Sequence, residues 1–321
     1  MYKKFYGLTR SPFEISPDPY FLFPTARHNE ALASIIYGVV RRKGFIVVTG
    51  EVGTGKTLLV RCLLELMHRQ DIASANVFNP GLSPLEFLRY VAGDLGLRLA
   101  NQDKGTLLLE LNNFLIARYQ RGLTTVLIVD EAQHLEAELL EEIRLLTNLE
   151  TSQQKLLQIV LVGQPELDQK MNSPQMLQLK QRIALRCQLE PLQEEEVRGY
   201  VLLRLQKAGM NSQAEKLFPT ETIAAVCHYS RGIPRLINTI CENVLISAYA
   251  QKLLCATPEM IQEVAKDLQL GVLTQPMEQD STGALEERAL ATSLLRLARA
   301  LDRVARGSEK LQSAASERTE I

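Results

Sequence analysis

The sequence predicts an α/β fold: a parallel sheet covered by helices on both faces, followed by an all-α unit and a C-terminal amphipathic helix. Two observations predict the sheet. Short apolar runs recur at "GFIVVTG" (44–50), "TTVLIVD" (124–130) and "LLQIVLVG" (156–163), as strands buried on both faces do. Segments of helical periodicity stand between them, and strands alternating with helices form parallel sheets. A third observation predicts the second unit. After Pro191 the apolar runs stop and helical segments follow one another.

In chain order, residues 1–26 read as an extended arm packing onto the body. "SPFEISPDPYFLFP" cannot be one long helix, because each proline lacks a donor and restricts its predecessor. Residues 27–191 form the α/β core. Its expected helices span about 29–42, 57–69, 84–95, 106–121 and 138–149, the last with Leu139, Ile143, Leu146 and Leu149 on one face. A further strand is expected near 73–78. Residues 192–270 form the helical unit, with segments near 193–209, 219–229, 233–250 and 258–268. Thr257 and Pro258 make a helix start, an N-cap followed by proline at the first helical position. Residues 271–283 are polar with glycine and proline, a linker. In 284–321, Leu290, Leu294, Leu297, Leu301, Val304 and Leu311 fit a heptad flanked by arginines, which predicts an amphipathic helix.

The 321 residues are 46% hydrophobic and 23% charged, enough apolar content for a sizeable core. The formal net charge of −1 gives no global pull toward nucleic acid or anionic lipid, which makes a nucleic-acid partner the weaker expectation. Five cysteines, odd in number and without a C-x-x-C pair, read as reduced thiols of a cytoplasmic protein. The start of the chain lacks a secretory pattern. The longest apolar stretch, 31–40, falls short of the roughly 18–20 residues that span a bilayer. A soluble chain without a transmembrane segment is expected.

"GEVGTGKT" (50–57) follows a predicted strand and opens a predicted helix, the context of a phosphate-binding loop. Glycines let the backbone curl so that its N–H groups face phosphates, and the helix N-terminus adds positive potential. Gly50, Glu51, Val52, Gly53, Thr54, Gly55, Lys56, Thr57 and Leu58 are therefore the candidate nucleotide-binding residues. Lys56 would reach the β- and γ-phosphates, and Thr57 would place its hydroxyl on Mg²⁺. In "VLIVDEAQ" (126–133), Asp130 ends an apolar strand beside that loop and can hold Mg²⁺ through water. Glu131 can polarise the attacking water. Gln164, at the end of the next strand, can bond the γ-phosphate or that water. In "QLKQRIALRCQLEPL" (178–192), Arg182 and Arg186 share one helical face or turn. Arginine suits a grip on phosphate charge developing in a transition state. Such a finger would serve a neighbouring copy's site, with Arg182 the first choice and Arg186 the second, and it implies a homo-oligomer. In "SRGIPRLIN" (230–238), Gly232 ends one helix and Pro234 starts the next, placing Arg235 where it could reach the γ-phosphate. These parts make a P-loop NTPase with ATP and Mg²⁺ as its ligands.

Taken together and in this order, the motifs resemble the AAA+ superfamily. More specifically, "FYGLTRSPFEISPDPYFLF", "LIVDEAQHL", "EEIRLLTNLETSQQKLLQIVLVGQPEL" and "LKQRIALRCQLEPL" look like the general secretion pathway protein A family, with its pilus-biogenesis and exopolysaccharide-locus relatives. The resemblance covers about residues 1–270. It implies an AAA+ core with a helical lid and Walker A residues Lys56 and Thr57. It implies Walker B residues Asp130 and Glu131, and Gln164 at sensor 1. Arg182 takes the arginine-finger place and Arg235 the sensor 2 place. Arm residues near Tyr20 to His28 would lie by the adenine. The implied role is an ATP-hydrolysing motor or switch for an envelope secretion, pilus or polysaccharide-export machine, cytoplasmic or peripheral at the inner membrane. Typical secretion members continue into a transmembrane helix and a peptidoglycan-binding domain. This chain carries the amphipathic tail there, so coupling is expected through a protein partner or through the 284–321 helix, which would pair with another helix or lie on anionic lipid. The competing expectation is a DNA-associated ATPase of the transposition-regulator type.

Overall fold

The computed structural model describes residues 2–78, 81–97, 103–210 and 213–270. The expected linker and amphipathic tail, 271–321, lie outside the described residues.

The α/β layer follows the alternation of the sequence. Helix α1 (Tyr2–Phe5) stands in the arm, and α2 (Ala26–Val40) starts at Thr25, whose hydroxyl accepts the His28 N–H. Then come β1 (Phe45–Gly50), α3 (Lys56–His68), β2 (Ala73–Val77), α4 (Pro84–Asp94), α5 (Lys104–Gln120) and β3 (Thr125–Val129). Helix α6 (Ala137–Leu146) leads to β4 (Leu157–Gly163), α7 (Pro165–Met171), α8 (Leu177–Lys180) and β5 (Ile183–Leu189). Ser83 and Glu86 close a capping box at the start of α4.

All strand pairs in the sheet are parallel, in the order β2-β3-β4-β1-β5. Because side chains alternate along a strand, each strand feeds two cores. Phe45, Val47, Leu127, Val129, Ile159 and Leu161 pack with α4, α5 and α6 on one face. Ile46, Val48, Val126, Ile128, Val160 and Val162 pack with α2 and α3 on the other. Strand β4 lies between β1 and β3. The carboxyl ends of these three strands therefore line one edge, where open α/β sheets bind ligands.

The helical layer comprises α9 (Glu194–Lys207), α10 (Ala214–Leu217), α11 (Thr220–Ser230), α12 (Pro234–Ala250) and α13 (Pro258–Asp267). The arm belongs to this layer. Tyr6, Leu8, Phe13 and Phe21 share one hydrophobic core with α9, α11, α12 and α13. Thr9 N–H donates to Ala208 O at 2.7 Å, and the Tyr6 hydroxyl donates to Leu253 O at 2.9 Å. Arg204, buried without a carboxylate partner among the described residues, donates Nε–H to Pro12 O at 2.6 Å and lies 4.8 Å over the Phe21 ring. The expectation of an arm laid on the body becomes an arm threaded into the lid.

The expectation of Arg182 and Arg186 together on a helical face or turn is corrected. Arg182 falls in the short turn after α8, and Arg186 lies inside β5. The segment 183–189 alternates side chains around an edge strand, with Cys187 and Leu189 buried and Arg186 and Gln188 exposed. That period of two, broken by polar residues, is what an edge strand with one wet face requires.

Candidate active site

The loop between β1 and α3 turns twice through left-handed backbone, at Gly53 (φ +84°) and Gly55 (φ +101°). Both are positions that favour glycine, and the contacts are close as well. A Cβ on Gly53 would stand 2.7 Å from Arg235 Cβ. Thr54 donates its hydroxyl to Glu51 O at 2.8 Å, which braces the curl. Lys56, buried, donates Nζ protons to Gly50 O at 2.7 Å and Glu51 O at 2.9 Å. Burial pushes the Lys56 ammonium pKa down, against the carboxylates of Glu131, Asp130 and Glu51.

Asp130 follows β3 and is tied to the loop directly. The Thr57 hydroxyl donates to Asp130 Oδ2 at 3.1 Å, and Glu131 N–H donates to Asp130 Oδ1 at 2.9 Å. Burial raises the Asp130 pKa, opposed by those two donors. Asp130 and Thr57 thus offer two hard oxygens side by side next to a buried ammonium, a donor set that suits Mg²⁺ held largely through water.

Glu131 adopts left-handed backbone (φ +53°), unusual for a residue with a side chain. Its carboxylate accepts from Gln133 Nε2 at 2.6 Å and Gln164 Nε2 at 3.4 Å. Burial pushes its pKa up, but these two amides and the Lys56 charge outweigh it and hold the carboxyl below its ordinary value. Gln133 was not singled out in the sequence. It also accepts Gln164 N–H through Oε1 at 3.0 Å, so one side chain links the end of β4 to Glu131. The available signal was its place two residues past the acid pair, in "DEAQ".

A cleft of about 430 Å³ opens over these groups. Val52, Gly53, Gly55, Lys56, Thr57, Leu58, Glu131 and Gln164 line one end, and Arg235 reaches it from the first turn of α12. Arg235 N–H also donates to Gly53 O at 3.2 Å, fastening the lid to the loop. The other end is walled by arm residues Glu14 to Asp18 together with Tyr200 and Asn238. Here the expectation for the stretch from Tyr20 to His28 shifts. Tyr20 donates its hydroxyl to Lys207 O and stacks under Arg10 at 4.5 Å, while His28 sits behind the loop, Nε2 3.1 Å from Thr54 O.

Arg182 and Arg186 are not among the cleft's lining residues. Ile183, next to Arg182, pairs with Phe45 at the start of β1, so Arg182 stands at the sheet edge opposite the cleft. Its Nη1 donates to Thr147 Oγ1 at 2.9 Å. Arg186 pairs with Asp168 at 2.8 Å.

Residues 40–171 match the AAA domain family. The chain is 44% identical over 253 residues, 78% of its length, to general secretion pathway protein A of Aeromonas hydrophila, of which the match covers 45%. It is 37% identical over 99 residues to the Mu-like prophage FluMu DNA transposition protein B of Haemophilus influenzae, covering 31% of this chain and 32% of that protein. The chain thus spans less than half the length of the curated relatives it matches. Among solved structures, the Aeropyrum pernix ORC2 protein in its ADPNP-ADP complexes superposes with a TM-score of 0.60 at 15% identity, over 83% of this chain and 75% of that one. Drosophila ORC bound to DNA superposes with a TM-score of 0.61 at 18% identity, over 83% and 66%. At such identities the likeness is one of fold. Among the described residues no helix is long and apolar enough to cross a membrane. A parallel sheet with β4 between β1 and β3, a glycine loop around a buried lysine and an acid pair beside it give the chain the AAA+ P-loop fold, with an AAA domain over residues 40–171 and a sequence similar to that of general secretion pathway protein A.

Proposed function

We propose that the cleft binds ATP with Mg²⁺, that the chain hydrolyses it to ADP and phosphate, and that the cycle energises an envelope secretion, pilus or polysaccharide-export machine. The observation that carries this reading is the short chain of bonds from Thr57 to Asp130 to Glu131 to Gln164, set around buried Lys56. Backbone amides of Gly53 to Thr57 and the Lys56 ammonium hold the triphosphate. Thr57 and Asp130 would hold Mg²⁺, which supplies charge neutralisation on the phosphates when bound. Glu131, kept ionised by its amide donors, orients and polarises the attacking water. Gln164 holds that water or the γ-phosphate from the end of β4. Arg235 grips the γ-phosphate and carries its presence to the lid through α12. Arg182, with Arg186 as the alternative, enters the site of a neighbouring copy in a homo-oligomer.

The envelope role rests on the 44% identity to general secretion pathway protein A. On that reading the chain works in the cytoplasm or at the inner face of the membrane, coupled to a protein partner, with the 284–321 segment as the coupling element. Phosphate release tests the chemistry. Glu131→Gln should retain ATP and release phosphate at least about 100-fold more slowly than the wild type, the usual weight of a positioned base. Equal rates would remove Glu131 from the reaction.

The second reading, a DNA-associated ATPase of the transposition-regulator type, is favoured by the identity to FluMu transposition protein B over 99 residues. A gel shift with duplex DNA across a salt series decides it. Retardation that weakens steeply with salt supports DNA binding, and none at low salt excludes it.

A further inference from the structure

The phosphate loop is held from behind by a side chain that none of its motifs contains. His28 lies in the first turn of α2 and is only 6% exposed. Its Nε2 stands 3.1 Å from Thr54 O and its Nδ1 2.7 Å from Thr25 Oγ1. A carbonyl can only accept, so Nε2 carries a proton. Thr25 Oγ1 already accepts the His28 backbone N–H at 3.1 Å, which leaves its own proton for Nδ1. The two partners therefore select one neutral tautomer. Burial favours the same neutral form by pushing the imidazole pKa down, against the Thr54 carbonyl and Glu196.

A trans peptide points its C=O and N–H in opposite directions. The peptide joining Thr54 to Gly55 faces its oxygen toward the ring, so its Gly55 N–H faces away from His28. Gly55 lines the cleft on its other side. The ring also sits tightly against the loop, since a Cβ on Gly55 would stand 3.1 Å from His28 Nε2. An anion cradle works only when successive N–H groups converge on the ligand, and glycine loops are free to turn those groups elsewhere.

We propose that His28 is a positioning residue for phosphate binding, locking the Thr54–Gly55 peptide so that Gly55 N–H faces the triphosphate. The proposal deepens the nucleotide reading above and rests on it. It separates the phosphate end of the ligand from the base end: losing the His28 donor weakens the grip on phosphate and leaves the base contacts intact.

The test is calorimetric titration of ATP and of adenosine into the wild type, His28→Leu and His28→Gln, with thermal unfolding of each. His28→Leu fills the space without a donor and should bind ATP about 10-fold more weakly, the weight of one well-placed hydrogen bond. Adenosine should bind it as it binds the wild type. His28→Gln places an amide N–H near the Nε2 position and should recover most of the ATP affinity. Where His28→Leu does not fold, Thr25→Val, which frees the ring to turn, carries the same expectation at smaller size. The proposal is overturned if the donor-less variant binds ATP as the wild type does. It is equally overturned if ATP and adenosine weaken together and glutamine restores neither, since His28 then serves folding alone. A wild type that binds no ATP sinks the nucleotide reading itself, and this inference with it.

Discussion

Glu131 concentrates the site's cost and its use in one residue. Its left-handed backbone is strained for a residue with a side chain, of order 1–3 kcal/mol, and such strain persists where the surroundings over-determine it. Here the surroundings are Gln133 and Gln164, whose amides fix the carboxylate, and Lys56, whose ammonium lies within the same field. The neighbouring carboxyl of Asp130 is shifted the other way by burial. Two adjacent acids are thereby pushed apart in pKa, which is how one site assigns different tasks to like groups. On the proposed mechanism Glu131 works as the carboxylate, so activity falls as pH drops through its pKa. Gln133→Ala removes a donor that holds this pKa down. The pKa should rise, and the acid limb of the pH–rate profile should move to higher pH while the neutral plateau falls less. An unmoved limb would show that Gln133 has no part in setting the ionisation of Glu131. The motif residues were legible because glycine loops and strand-end acids are local patterns. Gln133 was not, since its one signal, a place two residues past an acid pair, carries no period to mark it as part of the site.

Elements place these residues. Strand β4 between β1 and β3 puts Gln164 between the phosphate loop and the acid pair, an arrangement that follows from strand order and that no local window of sequence contains. Strands β1, β3 and β4 were legible as apolar runs because both of their faces are covered. Strand β5 escaped because it lies at the edge. Arg186 and Gln188 on its wet face break the run, and a short helix leads directly into it. The arm's packing partners escaped for a different reason. The arm's prolines showed that it is extended, but its partners lie some 190 to 250 residues away in α9 and α12 and in the turn at Leu253, and such pairing leaves no trace in local composition. The arm and lid share one core, so damage to either should reach the cleft that residues 14–18 wall. Phe13 is fully buried, with its ring 5.9 Å from that of Phe218. Phe13→Ala should cost about 3–5 kcal/mol, as large aromatic truncations in cores do, and should also weaken ATP binding. Chemical denaturation with a parallel nucleotide titration checks both. A loss within about 0.5 kcal/mol, the range of an indifferent surface change, would contradict the shared core.

For the whole molecule the site is two-sided. The loop, Glu131 and Gln164 line the same cleft as Arg235 of α12, and Arg235 N–H is bonded to Gly53 O, so the helical layer is tied to the loop through backbone. Arg182 stands at the opposite edge of the sheet, bonded to Thr147. One copy cannot bring that edge to its own cleft, but a head-to-tail neighbour can, and such contacts close into rings or extend into filaments. On the finger proposal the hydrolysis rate per chain should rise with protein concentration in the wild type. Arg182→Ala should bind ATP normally and stay at the dilute rate, a gap of order 10³ or more if the finger has its usual weight. A variant that matches the wild type at every concentration would exclude Arg182 and direct attention to Arg186.

Every proposed role of the cleft requires nucleotide binding at the Lys56 loop, and thermal unfolding with and without Mg-ATP tests that most directly. Ligand at about 100 times its Kd should stabilise the wild type by about 2.7 kcal/mol, a shift of several degrees, and Lys56→Ala should show none. A wild type whose unfolding ignores Mg-ATP, or a Lys56→Ala variant that shifts as far as the wild type, would contradict it.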